Sequence, residues 1–133
     1  IYLYTLLLTI LALTVFAFSV FAKDINSNNI EFLASYGWIV SSTPTERTTV
    51  ILPVVPDDVF NAYNKLQQEA GLNLNDYYGK HLTRYTYIVL NYPEITGETV
   101  FANLLLYEGK IVAGDIMTVS SDGFMHSLNF PVS

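Results

Sequence analysis

The residues best suited to chemistry lie near the C-terminus, in the run SSDGFMHSLNF at 120–130, where Asp122 and His126 are flanked by hydroxyls. A histidine within reach of a carboxylate and a hydroxyl is the arrangement of a hydrolase: the imidazole takes the nucleophile's proton and the carboxylate orients the ring. Asp115, in VAGDIM at 112–117, is the other carboxylate that His126 could use. Such enzymes usually present their serine on a strained turn in a Gly-x-Ser-x-Gly setting, and that motif is absent. His81, the second histidine, would have two strands between it and His126 in a sequentially paired sheet. A small envelope hydrolase using His126 with Asp122 or Asp115 is therefore the alternative expectation and not the leading one.

Other chemistries have weaker signals. Neither histidine has a second ligand at metal-binding spacing, and Asp-x-Asp-x-Asp-Gly does not occur, so no metal and no cofactor is expected. Asp115 with Glu98 or Asp122 would make a glycosidase pair, but any acidic domain offers such pairs. Asp115 stands out for another reason. It places a charge inside an apolar strand, where it must find a partner, reach water or hold its proton more tightly. Within LNYP, Asn91 and Tyr92 precede Pro93, which holds Tyr92 extended; their side chains either lock the loop or face a ligand.

The elements that must position these groups follow from charge and periodicity. The first 22 of the 133 residues carry no charge, and all 6 Lys and Arg and all 12 Asp and Glu lie from Lys23 onward. A helix of that length matches a hydrocarbon core of about 30 Å. Residues 1–22 are thus expected as a membrane anchor, or as a signal segment if cleavage follows Ala22. Residues 23–27 form a polar linker and 28–133 one domain, placed on the extracytoplasmic side, or secreted if cleaved. The absence of cysteine excludes disulfides, thiolate metal sites and a lipidated cysteine. The net charge of -6, with scattered cations, argues against nucleic acid as a partner.

Within the domain, Asn28 and Glu31 have capping-box spacing for a helix that Gly37 closes, with Trp38 placed to touch Leu33. WIVSS and RTTVILPV read as two strands of a hairpin. PDDVFNAYNKLQQEAG reads as a helix burying Val59, Tyr63, Leu66 and Ala70. Four strands are expected at 80–92, 99–107, 110–120 and 124–130, joined by short turns including Glu108-Gly109 and Asp122-Gly123, the latter with glycine at positive φ. This predicts an α+β domain in which two helices pack on one face of an antiparallel sheet with a C-terminal four-stranded meander. Ala102, Leu104 and Leu106 form an apolar row for the helices. A second, uncovered face rich in Tyr, Phe and Asn would carry Tyr85, Tyr87, Phe101, Asn103 and Tyr107, and aromatic residues with polar tips suit a binding surface. Phe124, His126 and Leu128 share one side of the last strand.

The phrases FLASYGW, YNKLQQEAGLNL, YYGKHLTRYTY, LNYP, ANLLLYEGKIVAGDI and DGFMHSL, in that order, resemble the domain-of-unknown-function 4830 family over residues 28–128. The resemblance implies a short extracytoplasmic domain of Gram-positive bacteria tethered by an N-terminal membrane segment, and carries over no catalytic residue. The leading expectation is a noncatalytic, membrane-tethered domain that binds an envelope protein or peptide, with Tyr85, Tyr87, Asn91, Phe101, Asn103, Tyr107, Asp115 and His126 as candidate binding residues.

Overall fold

The computed structural model describes residues 2–132, with side chains at 2–10 and 25–132. Helix α1 spans Tyr2–Ser35, strand β1 Glu46–Ile51, helix α2 Asp58–Glu69, and strands β2 to β5 His81–Ile88, Phe101–Tyr107, Lys110–Met117 and Met125–His126. The strands form one antiparallel sheet in chain order, β1-β2-β3-β4-β5. The fold is α+β. Among the described residues no helix is long and apolar enough to cross a membrane; the expected anchor at 1–22 falls largely on side chains outside the described ones.

Helix α1 runs through the polar linker at 23–27 without a break, so Asn28 and Glu31 lie inside it and do not cap it. Its end is as expected. Gly37 adopts φ 95°, which an L side chain rarely tolerates, while Trp38 N–H bonds Leu33 C=O at 3.1 Å and Gly37 N–H bonds Ala34 C=O at 2.9 Å. This paired closure brings Trp38 onto Leu33, and both are buried in one cluster. The Glu108-Gly109 turn has φ 48° and 81°, the doubly positive geometry that suits strand twist in a two-residue hairpin.

Several expectations are corrected. WIVSS does not form a hairpin with β1. It makes a single bridge, Val40 to Val89, and then the chain bulges at 42–45 before β1 resumes on the same edge of β2, with Ser41 N–H on Ile88 C=O and Thr45 N–H on Thr86 C=O. Pro44 has no N–H to give the ladder, which fits the interruption. The last strand contracts to Met125–His126. Gly123 has no positive φ; it is glycine because a Cβ there would lie 2.2 Å from Thr118 Oγ1 and 2.8 Å from Ser120 C=O.

The main correction concerns the faces. Cross-strand partners share a face, and Tyr87 pairs with Ala102 and Tyr85 with Leu104, so the tyrosines join the apolar row. That face is covered by α1 through Ile30 and Leu33, with Tyr36 just beyond its end. Phe60 and Tyr63 of α2 pack on the other face, against Leu82, Leu105 and Ala113. The two helices thus sandwich the sheet and do not share one side.

Candidate functional site

Helix α2 is held at its start by Asp57, whose carboxylate accepts the N–H of Phe60 at 2.9 Å. The face it buries is rotated from the expected one: Val59 is 72% exposed, while Asn64 and Gln67 are buried. Asn64 explains part of this. Its Oδ1 accepts Leu74 N–H at 2.8 Å and its Nδ2 donates to Asn73 and Asn75, fastening the loop that follows the helix. Gln67 Oε1 accepts the N–H of Gly114 at 2.8 Å, a β4 donor that β5 does not reach. Buried amides therefore set the helix's rotation, because leaving such backbone donors unpaired costs more than exposing one valine.

Anchored at β4, α2 covers only part of its sheet face. The rest is floored by a hydrogen-bonded chain across three strands: Thr86 Oγ1 donates to Asn103 Oδ1 at 2.7 Å, and Asn103 Nδ2 donates to Asp115 Oδ1 at 3.0 Å. Tyr63 Oη, from α2, donates to Asp115 Oδ2 at 2.6 Å. Burial pushes the Asp115 carboxyl above its ordinary value, against the opposing effect of the Tyr63 and Asn103 hydrogen bonds and of the Arg84 charge. The Tyr63 hydroxyl is raised well above its own, first by burial and then by the Asp115 charge. The aspartate that broke the apolar strand pattern thus finds partners and also keeps its proton more readily.

Two adjoining hollows open on this floor. One, of about 230 Å³, lies among Glu46, Thr86, Phe101, Asn103 and Val119; the other, of about 250 Å³, lies between the sheet and α2 among Val50, Val59, Phe60, Tyr63 and Met125. Arg84, Asn103 and Met117 line both. Each is smaller than the pocket of a drug-sized ligand, which begins near 300 Å³. Joined, they make a groove of that class with apolar walls and a polar floor. Arg84 donates through Nη2 to the exposed Glu46 at 3.1 Å, while its Nε, shielded from water, has no hydrogen-bond partner among the described residues.

The expected binding residues are divided between two places. Phe101, Asn103 and Asp115 belong to the groove face. Tyr107 is on that face but at its far end, under Lys80, whose Nζ lies 4.6 Å from the ring centre. Tyr85 and Tyr87 are buried beneath α1. The Tyr87 hydroxyl donates to Asn26 Oδ1 at 2.8 Å and accepts from Asn29 Nδ2 at 3.2 Å, fixing α1 to the sheet. Asn91 locks a loop, as one of its two expected roles had it, accepting Ile39 N–H and donating to Gly37 C=O, both at 2.9 Å.

His126 occupies the α1 face among aromatic rings, stacked on Phe124 and 6.3 Å from Trp38. Its Nδ1 lies 2.6 Å from Ser127 C=O, which can only accept, so Nδ1 carries the proton and Nε2 meets the Tyr92 hydroxyl at 2.9 Å. His126 pairs across strands with Ile116, so Asp115 points to the opposite face and the expected His126–Asp115 couple does not form. Asp122 is exposed in the 120–123 turn, and Glu98 is bonded to Ser120. Among the described residues no three His, Asp or Glu side chains converge as a metal site would need.

Arg84, Thr86, Glu46, Tyr63 and Met117 are not among the binding residues that the sequence suggests. The signal that could have found them was register: Thr86 stands opposite Asn103, and Asn103 opposite Asp115, so three polar residues in three apolar strands line up.

Residues 32–116 match the family described as Domain of unknown function (DUF4830). The chain belongs to the DUF4830 family. The matched stretch holds the groove's floor, from Glu46 to Asp115, whereas Asp122 and His126 fall beyond it. No curated protein and no solved structure matches the chain.

Proposed function

We propose that this DUF4830 chain is a noncatalytic, membrane-tethered extracytoplasmic domain that binds an extended peptide segment of another envelope protein. The observation that carries this reading is the half-covered sheet face, where apolar walls from Phe60, Phe101, Met117 and Met125 flank the polar floor of Arg84, Thr86 and Asn103. Aromatic residues, methionine and arginine are the types enriched at protein interfaces, and a floor offering both donors and acceptors suits a peptide backbone. The uncharged segment 1–22 supports the tether, and export of a modest domain behind such a segment supports the extracytoplasmic side. The partner is accordingly sought among envelope proteins and not nucleic acids.

The test uses the full chain in detergent micelles against a panel of fluorescent peptides drawn from envelope proteins. Met117→Arg, which places a long charged side chain in the wall common to both hollows, is expected to abolish the anisotropy change of every binder. Peptide binding that survives Met117→Arg undiminished would remove the groove as the site.

A further inference from the structure

We infer that Arg84 is the specificity anchor of this groove and that its ligand is a peptide carrying an internal acidic side chain, with apolar side chains two positions to either side. The inference rests on the peptide-binding reading above and names the class of peptide. It starts from the guanidinium. Among the described residues lining the two hollows, Arg84 is the one cation. Its Nε–H and Nη2 form one edge of the planar group, the edge a carboxylate grips with both oxygens. Glu46 holds that edge by a single contact to Nη2, at 3.1 Å, and among the described residues Nε has no partner.

Glu46 is also the exchangeable part of this arrangement. Its side chain is 55% exposed and that of Arg84 36%, and an exposed ion pair of this kind contributes little net stability. Asp115 does not compete, because both of its oxygens are engaged by Tyr63 and Asn103. A ligand carboxylate that takes the place of Glu46 meets the same edge of the guanidinium and pairs Nε together with Nη2. Satisfying a buried donor that was unpaired is where the gain lies.

The position of Arg84 selects an internal acidic residue over a chain terminus. It lines both hollows, so a peptide whose carboxylate reaches it continues to either side. In an extended chain, alternate side chains point the same way. An acidic residue aimed at the floor therefore sends its neighbours at two positions before and after into the hollows, one beside Phe101 and Val119, the other beside Val50 and Phe60. The groove thus favours the order apolar, any, acidic, any, apolar.

The probe is the fluorescent peptide acetyl-Leu-Ser-Glu-Ser-Leu-amide, titrated against the full chain in neutral detergent at about 0.15 M salt, where the chain's net negative charge is screened beyond about 8 Å. Replacing the peptide glutamate by glutamine is expected to weaken binding at least about tenfold, as is Arg84→Gln, since a hydrogen-bonded charge is lost in each case. Glu46→Gln, which removes the competitor, is expected to strengthen binding by about twofold to fivefold, an outcome that a damaged fold cannot mimic. Equal binding of the glutamate and glutamine peptides, with both still sensitive to Met117→Arg, would overturn the acidic ligand and leave the peptide groove standing. Binding that requires a free C-terminal carboxylate in place of the internal one would overturn the internal position. No binding by either peptide overturns the acidic ligand, and the envelope panel then decides the groove separately.

Discussion

Under α1 the sheet presents Tyr87, Ala102, Leu104 and Ile116, none of them exposed at all, whereas under α2 the same three central strands present Thr86, Asn103 and Asp115 beside hollows open at the surface. The strands are shared, so the difference comes from what each helix brings. Helix α1 brings Leu33 and, through its glycine closure, Trp38, whose indole N–H bonds Leu128 C=O at 2.6 Å and whose ring stacks on Tyr92. Helix α2 brings amides and a tyrosine, and is held to β4 by Gln67. One face is sealed by apolar contact and carries stability. The other is only half covered, and its open half is where the proposed peptide would dock.

The largest effects should separate the faces most sharply. Trp38→Ala is expected to destabilise the domain by about 3 to 5 kcal/mol, the usual cost of removing a fully buried large aromatic, read from urea unfolding of the full chain. Phe101→Ala, a half-buried wall of the groove, should cost no more than about 1 kcal/mol by the same measurement while weakening peptide capture. Comparable losses at both positions would mean that the faces do not differ in the way described.

Gly114→Ala lies between these. Its Cβ would fall 2.8 Å from Asn103 C=O and 2.8 Å from Leu128 Cδ1, so the change presses the floor of one face against the core of the other. Overpacking of this kind is expected to cost about 1 to 3 kcal/mol. A loss below about 0.5 kcal/mol would show that the two faces are less tightly coupled than the contacts indicate.

The smallest effect is a pH dependence. The folded state holds the Asp115 proton more tightly than the ordinary value of 3.8. Within the window above that value the native state binds more protons than the unfolded chain, so this group's contribution to stability falls as pH rises through the folded pKa and is level beyond it. Asp115→Asn cannot titrate. The stability of the native chain relative to this variant should therefore decline from about pH 4 upward and then flatten, as read from unfolding midpoints across that range. A difference that rises with pH would contradict a carboxyl whose affinity for its proton burial raises.

Much of the α1 face could be read from residue types. Gly37 followed by Trp38 announced both the helix end and the Leu33 contact, because a left-handed residue at that position leaves the chain one compact way to continue. Phe124, His126 and Leu128 were placed on one side by the alternation of the last strand, and they do lie together with the aromatic cluster. The α2 face was not legible in the same way. Val59 and Leu66 predict its rotation only if apolar residues alone decide burial, whereas Asn64 and Gln67 decide it by satisfying backbone groups in the loop and in β4. Alternation within a strand does not say which parity pairs with which across strands, so it does not fix the face of the tyrosines; that depends on register. Arg84 is a single cation in LTRYTY, and only the line from Thr86 through Asn103 to Asp115 makes its surroundings a candidate site. His126, the residue most suggestive of catalysis, is instead bonded at both ring nitrogens within the aromatic cluster.

The proposed peptide recognition belongs to the half-covered face. The most direct measurement is a set of amide and methyl spectra of the full chain in micelles, titrated with the glutamate-centred peptide. Shifts confined to Arg84, Thr86, Phe101, Asn103 and Met117, with Tyr87, Leu104 and Trp38 unmoved, are the predicted result. Shifts centred on Trp38, Tyr92 and His126, with Arg84 and Asn103 silent, would contradict it.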